Sequence, residues 1–291
     1  MKPAPFDYHC PETLPEALRL LATLENARPL AGGQSLMPML NLRLATPDHL
    51  IDLGKIAEIS RIEELADKIR IGAMTTQRTL ETSALMQRKC PLLCQALERV
   101  GHQQTRNRGT IGGSICHLDP SAELPIVAMA LDARLEIQSQ SGRRVLSFKA
   151  FPAGYLTSVL TSGELLTHIE LPILRGRTGS CFEEFSRRPA DFAIVAVAAV
   201  VSLNGDGIVV EVRIAIGGLG ASPVRLEAAE ARLLGKRWAP EGLDDAERLA
   251  RELPAEGDDD NTPEYRRHLA GVLTRRALDT AYQRSQEAPN V

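Results

Sequence analysis

Two glycine pairs, each closing an apolar run, constrain this chain more than any other feature. The first lies in Leu30-Ala31-Gly32-Gly33-Gln34-Ser35-Leu36 and the second in Thr110-Ile111-Gly112-Gly113-Ser114. Residues without Cβ let a backbone turn tightly, adopt φ > 0 and bring bare N–H groups up to a ligand. Consecutive exposed N–H groups form an anion-binding concavity, and a helix starting just after adds its positive end. Two such turns in one chain suggest two clamps on one diphosphate, although a lone Gly-Gly is usually an ordinary turn.

The flanks sharpen this reading. Arg28-Pro29-Leu30-Ala31 reads as a short buried strand, and Ser35 as the cap of a helix carrying Leu36, Met37, Met39, Leu40 and Leu42, with Pro38 in its first turn. The second pair follows Arg106-Asn107-Arg108, two cations beside an amide, and precedes His117-Leu118-Asp119-Pro120 and an apolar helix from Leu124 to Leu131. Neither turn fits G-x-G-x-x-G or G-x-x-x-x-G-K-[ST], so the dinucleotide and P-loop fingerprints are absent.

The segments AGGQSL and RNRGTIGGSICHLDPSAELP resemble the FAD-binding medium subunit of molybdenum hydroxylases, the family of carbon monoxide dehydrogenase, xanthine dehydrogenase and bacterial nicotine and caffeine dehydrogenases. The likeness continues through IDLGKI, IGAMTT, SRRPADFA, IAIGGLGASPVR and YRRHLAGVLTRRAL, covering nearly the whole chain. It implies an α+β fold: a two-subdomain FAD-binding unit of the vanillyl-alcohol-oxidase (PCMH) type over residues 1–175, divided roughly into 1–55 and 56–175. A small sheet-plus-helices unit of the CO dehydrogenase flavoprotein type is implied over 178–291. It also implies FAD as cofactor, held by Leu30 to Leu36, Thr110 to Ser114, Glu123, Leu166 and Phe192. Phe192 would lie against the flavin ring, Glu123 would hydrogen-bond the ligand and Leu166 would touch the adenine side. Many family members carry Tyr where Phe192 stands, and some carry Lys where Glu184 stands, so a phenolic hydrogen bond and a cation near reduced flavin are both missing. Implied partners are a small subunit with two [2Fe–2S] clusters and a large molybdopterin subunit, as a dimer of heterotrimers, with NAD or another acceptor taking the electrons. The substrate pocket would then lie in another chain.

Composition bounds the answer without naming it. At 291 residues the chain is long enough for two domains, and a net charge of −3 with mixed signs offers no basic field for nucleic acid. No stretch approaches the ~20 apolar residues of a membrane span, and the start lacks the apolar core of a signal peptide. Five scattered cysteines fit reduced thiols in a cytoplasmic protein, with Cys90 and Cys94 as core residues, and no iron–sulfur spacing occurs. No catalytic or metal-ligating set emerges, and His117 reads as a wall residue or hydrogen-bond partner.

Along the chain, helices are expected over Thr13–Leu24 (capped by Thr13), Gln77–Ser83 and Pro91–Val100, and strands over His49–Leu53, Lys68–Gly72 and Glu164–Leu171. Ser141-Gly142 and Asn204-Gly205-Asp206-Gly207 mark hairpins, and Leu174–Gly179 marks a linker. Ser222-Pro223 is expected to start a helix. The last helix places Tyr265, Leu269, Val272, Leu273 and Ala277 on an apolar stripe, with Arg266, Arg267, Arg275 and Arg276 on a solvated face. Valine at Gly33 or Gly112 is expected to yield folded protein with little FAD, and a cut near Arg175-Gly176 to leave 1–174 able to bind it. Two other readings stay open: a self-sufficient flavin oxidase or reductase of the same fold, and a scaffold that has lost its cofactor.

Overall fold

The computed structural model describes residues 1–288. The chain opens with β1 (Asp7–His9), α1 (Leu14–Thr23), β2 (Ala27–Leu30), α2 (Leu36–Asn41) and β3 (His49–Asp52). The three strands form a parallel sheet in the order β1-β3-β2, which makes β2 an edge strand. An edge tolerates Pro29 because its missing donor is not needed by a second neighbour. The same position leaves β2 half-buried rather than buried as expected. Thr13 caps α1 by accepting from the Glu16 N–H, and Leu14, Ala17, Leu18 and Leu21 pack on Ile51, Ile56 and Ile59.

The next stretch holds β4 (Ile62–Glu64), β5 (Lys68–Gly72), α3 (Gln77–Glu81), α4 (Ala84–Lys89), α5 (Pro91–Leu97), α6 (Gln103–Arg108), α7 (Ile111–His117) and α8 (Glu123–Ala130). It ends with β6 (Arg134–Ser139), β7 (Gly142–Ser147), β8 (Pro152–Gly154), β9 (Thr157–Ser158) and β10 (Leu165–Pro172). β4-β5-β10-β6-β7 is an antiparallel sheet. The helices are shorter and more numerous than the sequence suggests. Ser83 ends one helix by capping the next, and the Arg106-Asn107-Arg108 triplet closes helix α6.

The remainder is β11 (Arg177–Ser186), β12 (Ala193–Leu203), β13 (Val209–Gly217), β14 (Val224–Arg225), α9 (Glu227–Leu233), α10 (Pro240–Arg251) and α11 (Pro263–Glu287). Ser222-Pro223 starts no helix. Val224 and Arg225 instead pair with Ile216 and Ala215 as a fourth strand, and Arg225 is held there by Glu230 and Asp132.

Strand β12 is buried along its whole length because both faces are walls. Ala196, Ala198 and Val200 face α8, while Val195, Val197, Ala199 and Val201 face the core under α10 and α11. A strand covered on both sides reads as a continuous apolar run, as this one does. Helix α8 is likewise buried all round, with Leu124, Ile126, Val127 and Met129 each contributing about 1.5–3 kcal/mol of burial. One continuous core therefore joins residues before and after Gly176. Cys90 and Cys94 lie in it, and burial pushes their thiols up to about 12 and about 11.

In α11, Leu269, Leu273 and Ala277 are buried, Val272 is half-buried and Tyr265 is exposed. Arg266 is not on a solvated face: it donates to the carbonyls of Ile194 (2.8 Å) and Gly218 (2.6 Å). No helix among the described residues is long and apolar enough to cross a membrane.

Candidate flavin site

The two glycine pairs meet. A Cβ on Gly32 would overlap the carbonyl oxygen of Arg108, and one on Gly113 would stand 3.5 Å from the Cβ of Ala31. The turn after the edge strand β2 is thus pressed against the loop that feeds α7. Chemically, however, the pairs differ.

In the first, Gly33 has φ +73°, a left-handed conformation that a side chain rarely adopts. Its carbonyl accepts from Met37 (3.1 Å), which starts the short helix α2. Ser35 is not a side-chain cap: its backbone is already helical and its hydroxyl takes no cap hydrogen bond. Among the described residues, the N–H groups of Gly32, Gly33, Gln34 and Ser35 donate to no protein acceptor. Successive unpaired amides in a turn are the kind of donor set from which anion-binding concavities are built.

In the second, the glycines are the first turn of α7, without positive φ. The amides are already used: Ile111 donates to Thr75 O (3.1 Å), Gly112 to Ala73 O (2.8 Å), Ser114 to Thr110 O (3.1 Å) and Gly113 to the Thr110 hydroxyl (3.0 Å). A Cβ on Gly112 would come within 2.5 Å of the Ala73 Cβ and 2.9 Å of its Cα, so this glycine lets α7 lie against the chain leaving β5. What this segment still offers a ligand is the N–H of Thr110 and the hydroxyl of Ser114, neither with a protein partner among the described residues, and the hydrogen of the Thr110 hydroxyl. The cations upstream do not both face the site, since Arg106 forks onto Glu81 and the carbonyls of Val100 and Gly101.

Glu123 opens α8 and is buried. Burial pushes its carboxyl up to about 8, with the charges of Glu184 and Asp119 adding to the rise. Glu184, on β11, is pushed up to about 7 by burial despite Arg99, and its Oε2 is buried without a hydrogen-bond partner among the described residues. Sequence reasoning singled out each residue alone; their pairing crosses the two halves of the chain and leaves no local signal. Leu166 lies in the core on β10, at a register break between Leu166 and His168. His117 ends α7 half-buried, and burial lowers its pKa, favouring the neutral ring.

Phe192 is 71% exposed, which no core aromatic would be. It borders a cavity of about 200 Å3 lined also by Ser121, Arg187, Asp258, Asp260 and Arg266. The loop before it is shaped by Ala190 (φ 64°) and by an Arg188–Asp191 pair at 3.0 Å. No cluster able to hold a metal ion occurs among the described residues.

The model of the family described as "FAD binding domain in molybdopterin dehydrogenase" matches residues 4–174, and that of the "CO dehydrogenase flavoprotein C-terminal domain" matches 180–281. The chain is 36% identical to the carbon monoxide dehydrogenase medium chain of Hydrogenophaga pseudoflava, over 98% of this chain and 99% of that one. It is 35% identical to the glyceraldehyde dehydrogenase medium chain of Sulfolobus acidocaldarius, over 96% and 99%. A solved structure of the Hydrogenophaga carbon monoxide dehydrogenase superposes with a TM-score of 0.95 at 37% identity, covering 98% of this chain and 99% of that one.

The class is therefore an α+β FAD-binding fold followed by a C-terminal unit of the CO dehydrogenase flavoprotein type. Within it, the chain belongs to the FAD-binding medium subunits of molybdenum hydroxylases, whose members are subunits of multi-subunit oxidoreductases. FAD is the cofactor of that family, and the four unpaired amides fit its diphosphate.

Proposed function

We propose that this chain is the electron-relay subunit of a cytoplasmic three-subunit hydroxylase. It receives electrons from the [2Fe–2S] clusters of a small partner, which draws them from a large molybdopterin subunit, and passes them to NAD or another acceptor. The proposed assembly is a dimer of heterotrimers. FAD, when bound, supplies the ability to take up electrons and release them in pairs. The observation that carries this reading is the run of unpaired amides from Gly32 to Ser35, in a chain that aligns end to end with medium chains of such complexes.

Each residue then has a task. The amides of Gly32 to Ser35 take the diphosphate, with the hydroxyls of Thr110 and Ser114 as a second, weaker edge. Leu30, Ala31, Leu36, Ile111, Gly112 and Gly113 shape that pocket. Glu123, carrying its proton at pH 7, donates a hydrogen bond to the ligand, and Leu166 lines the adenine side. Phe192 covers the ring and keeps water from one face. We divide the chain at 1–175, with subdomains near 1–55 and 56–175, and 178–291.

The substrate is left to the partners: relatives named for carbon monoxide and for glyceraldehyde are equally similar here, at 36% and 35%. Co-expression with the adjacent genes tests the reading. A complex containing molybdenum, iron and FAD is expected. A chain that purifies alone from its native cell and turns over a substrate unaided would contradict it.

A further inference from the structure

The acidic segment Glu256–Asp260, between α10 and α11, belongs to none of the tasks above, yet it touches three other parts of the molecule, two of them at the Phe192 cavity. Asp260 pairs with Arg187 at 2.6 Å, on the loop that bears Phe192. Asp258 pairs with Arg266, which in turn grips the carbonyls of Ile194 and Gly218 beside that loop. Glu256 accepts from the hydroxyl of Tyr155, at the tip of the β8–β9 hairpin. The segment is itself shaped by Asp258, whose carboxylate accepts from the N–H groups of Asp260 (3.0 Å) and Asn261 (2.7 Å). Asp259, in the middle, makes no ion pair or hydrogen bond among the described residues and is exposed.

We infer that Glu256–Asp260 is a clasp: Asp260, through Arg187, is a positioning residue that holds the Phe192 loop over the flavin ring, with Asp258 and Arg266 as its fixed anchor. The inference rests on the reading of Phe192 as ring cover. Arg187 and Asp260 are both solvent-exposed, so their attraction is weak and screened by salt. The clasp therefore holds the loop in a closed majority state that ionic strength loosens, while the half-buried Arg266 grip keeps the anchor in place.

The test is collisional quenching of bound flavin fluorescence by neutral acrylamide, in FAD-saturated protein. Asp260→Asn is expected to raise the quenching constant about twofold, the population shift an exposed ion pair supports. Taking wild-type protein from about 0.1 M to about 1 M salt, where the screening length falls from about 10 Å to about 3 Å, is expected to give the same rise. In Asp260→Asn that salt response should vanish, and Asp259→Asn should behave as wild type. A salt response that persists in Asp260→Asn, or equal effects of Asp259→Asn and Asp260→Asn, would overturn the clasp. Phe192→Ala separates the two ideas. If it raises quenching while Asp260→Asn does not, the cover stands and the clasp falls; if it changes nothing, the cover falls and takes the clasp with it.

Discussion

The two glycine pairs look alike as sequence and do opposite things as structure. The first turns through a left-handed Gly33 and leaves four successive amides without a protein acceptor among the described residues. The second starts a helix whose amides are all donated within the protein, to Ala73, Thr75 and Thr110. Both need glycine, but for different reasons: backbone conformation and ligand access in one, close approach of two chain segments in the other. A Gly-Gly thus marks a place where backbone must come near something, without saying whether that something is a ligand or the protein itself.

The largest expected effect lies in the second pair. Gly112→Val drives a side chain into the Ala73 backbone, and overpacking of this kind costs about 3 kcal/mol. The ligand-free protein should lose that stability in denaturant unfolding. Gly112→Val is therefore expected to lose stability as well as FAD. Wild-type stability with lost FAD would make the second pair a ligand clamp after all. Next comes Gly33→Val, which strains a residue at φ +73° and displaces the free amides. Each lost charge-assisted hydrogen bond costs about 1.5–3 kcal/mol, so the FAD dissociation constant should rise at least about tenfold. An unchanged constant by fluorescence titration would break the comparison from the other side.

A smaller effect concerns Glu123. Its carboxyl titrates at an ordinary 4.5 in the unfolded chain and at about 8 in the fold. The folded state therefore holds the extra proton between those values, and stability falls as pH rises through that window. FAD affinity should fall by up to about tenfold between about pH 7 and about pH 9, following the protonated fraction of a group titrating near 8. Glu123→Gln keeps a donor that does not titrate and should flatten the affinity profile, while the stability profile keeps the part due to Glu184, which burial raises to about 7. Persistence of the drop in that variant would remove Glu123 from the ligand contacts. Smallest is Phe192→Ala: an exposed side chain contributes little to folding, so stability should move by no more than about 0.5 kcal/mol while the ring becomes more accessible.

What the sequence made legible was local. The Thr13 cap, the Ser141-Gly142 hairpin, the apolar run of β12 and the left-handed turn at Gly33 each follow from residues within a few positions. What it hid depends on distant partners. The second pair's amides are satisfied by Ala73 and Thr75, Glu123 meets Glu184 across the two halves, and Val224 joins a sheet where Ser222-Pro223 promised a helix. Arg266 has a helix-surface spacing yet turns inward onto two carbonyls. The linker at Gly176 separates strands but not cores, because Phe182, Ala196 and Ala198 complete the core around α8. A fragment ending at Leu174 would expose that face, so it does not serve as a test of FAD binding.

Hydrogen exchange with and without FAD, read by mass spectrometry on peptides covering residues 31–36 and 111–115, tests the central claim most directly. Amides without a partner exchange freely, while those in protein hydrogen bonds are protected. The account predicts fast exchange at Gly32 to Ser35 in ligand-free protein and at least about tenfold slowing with FAD, with Ile111 to Ser114 protected in both states. Protection already present at Gly32 to Ser35 without FAD, or a gain confined to Ile111 to Ser114, would contradict it.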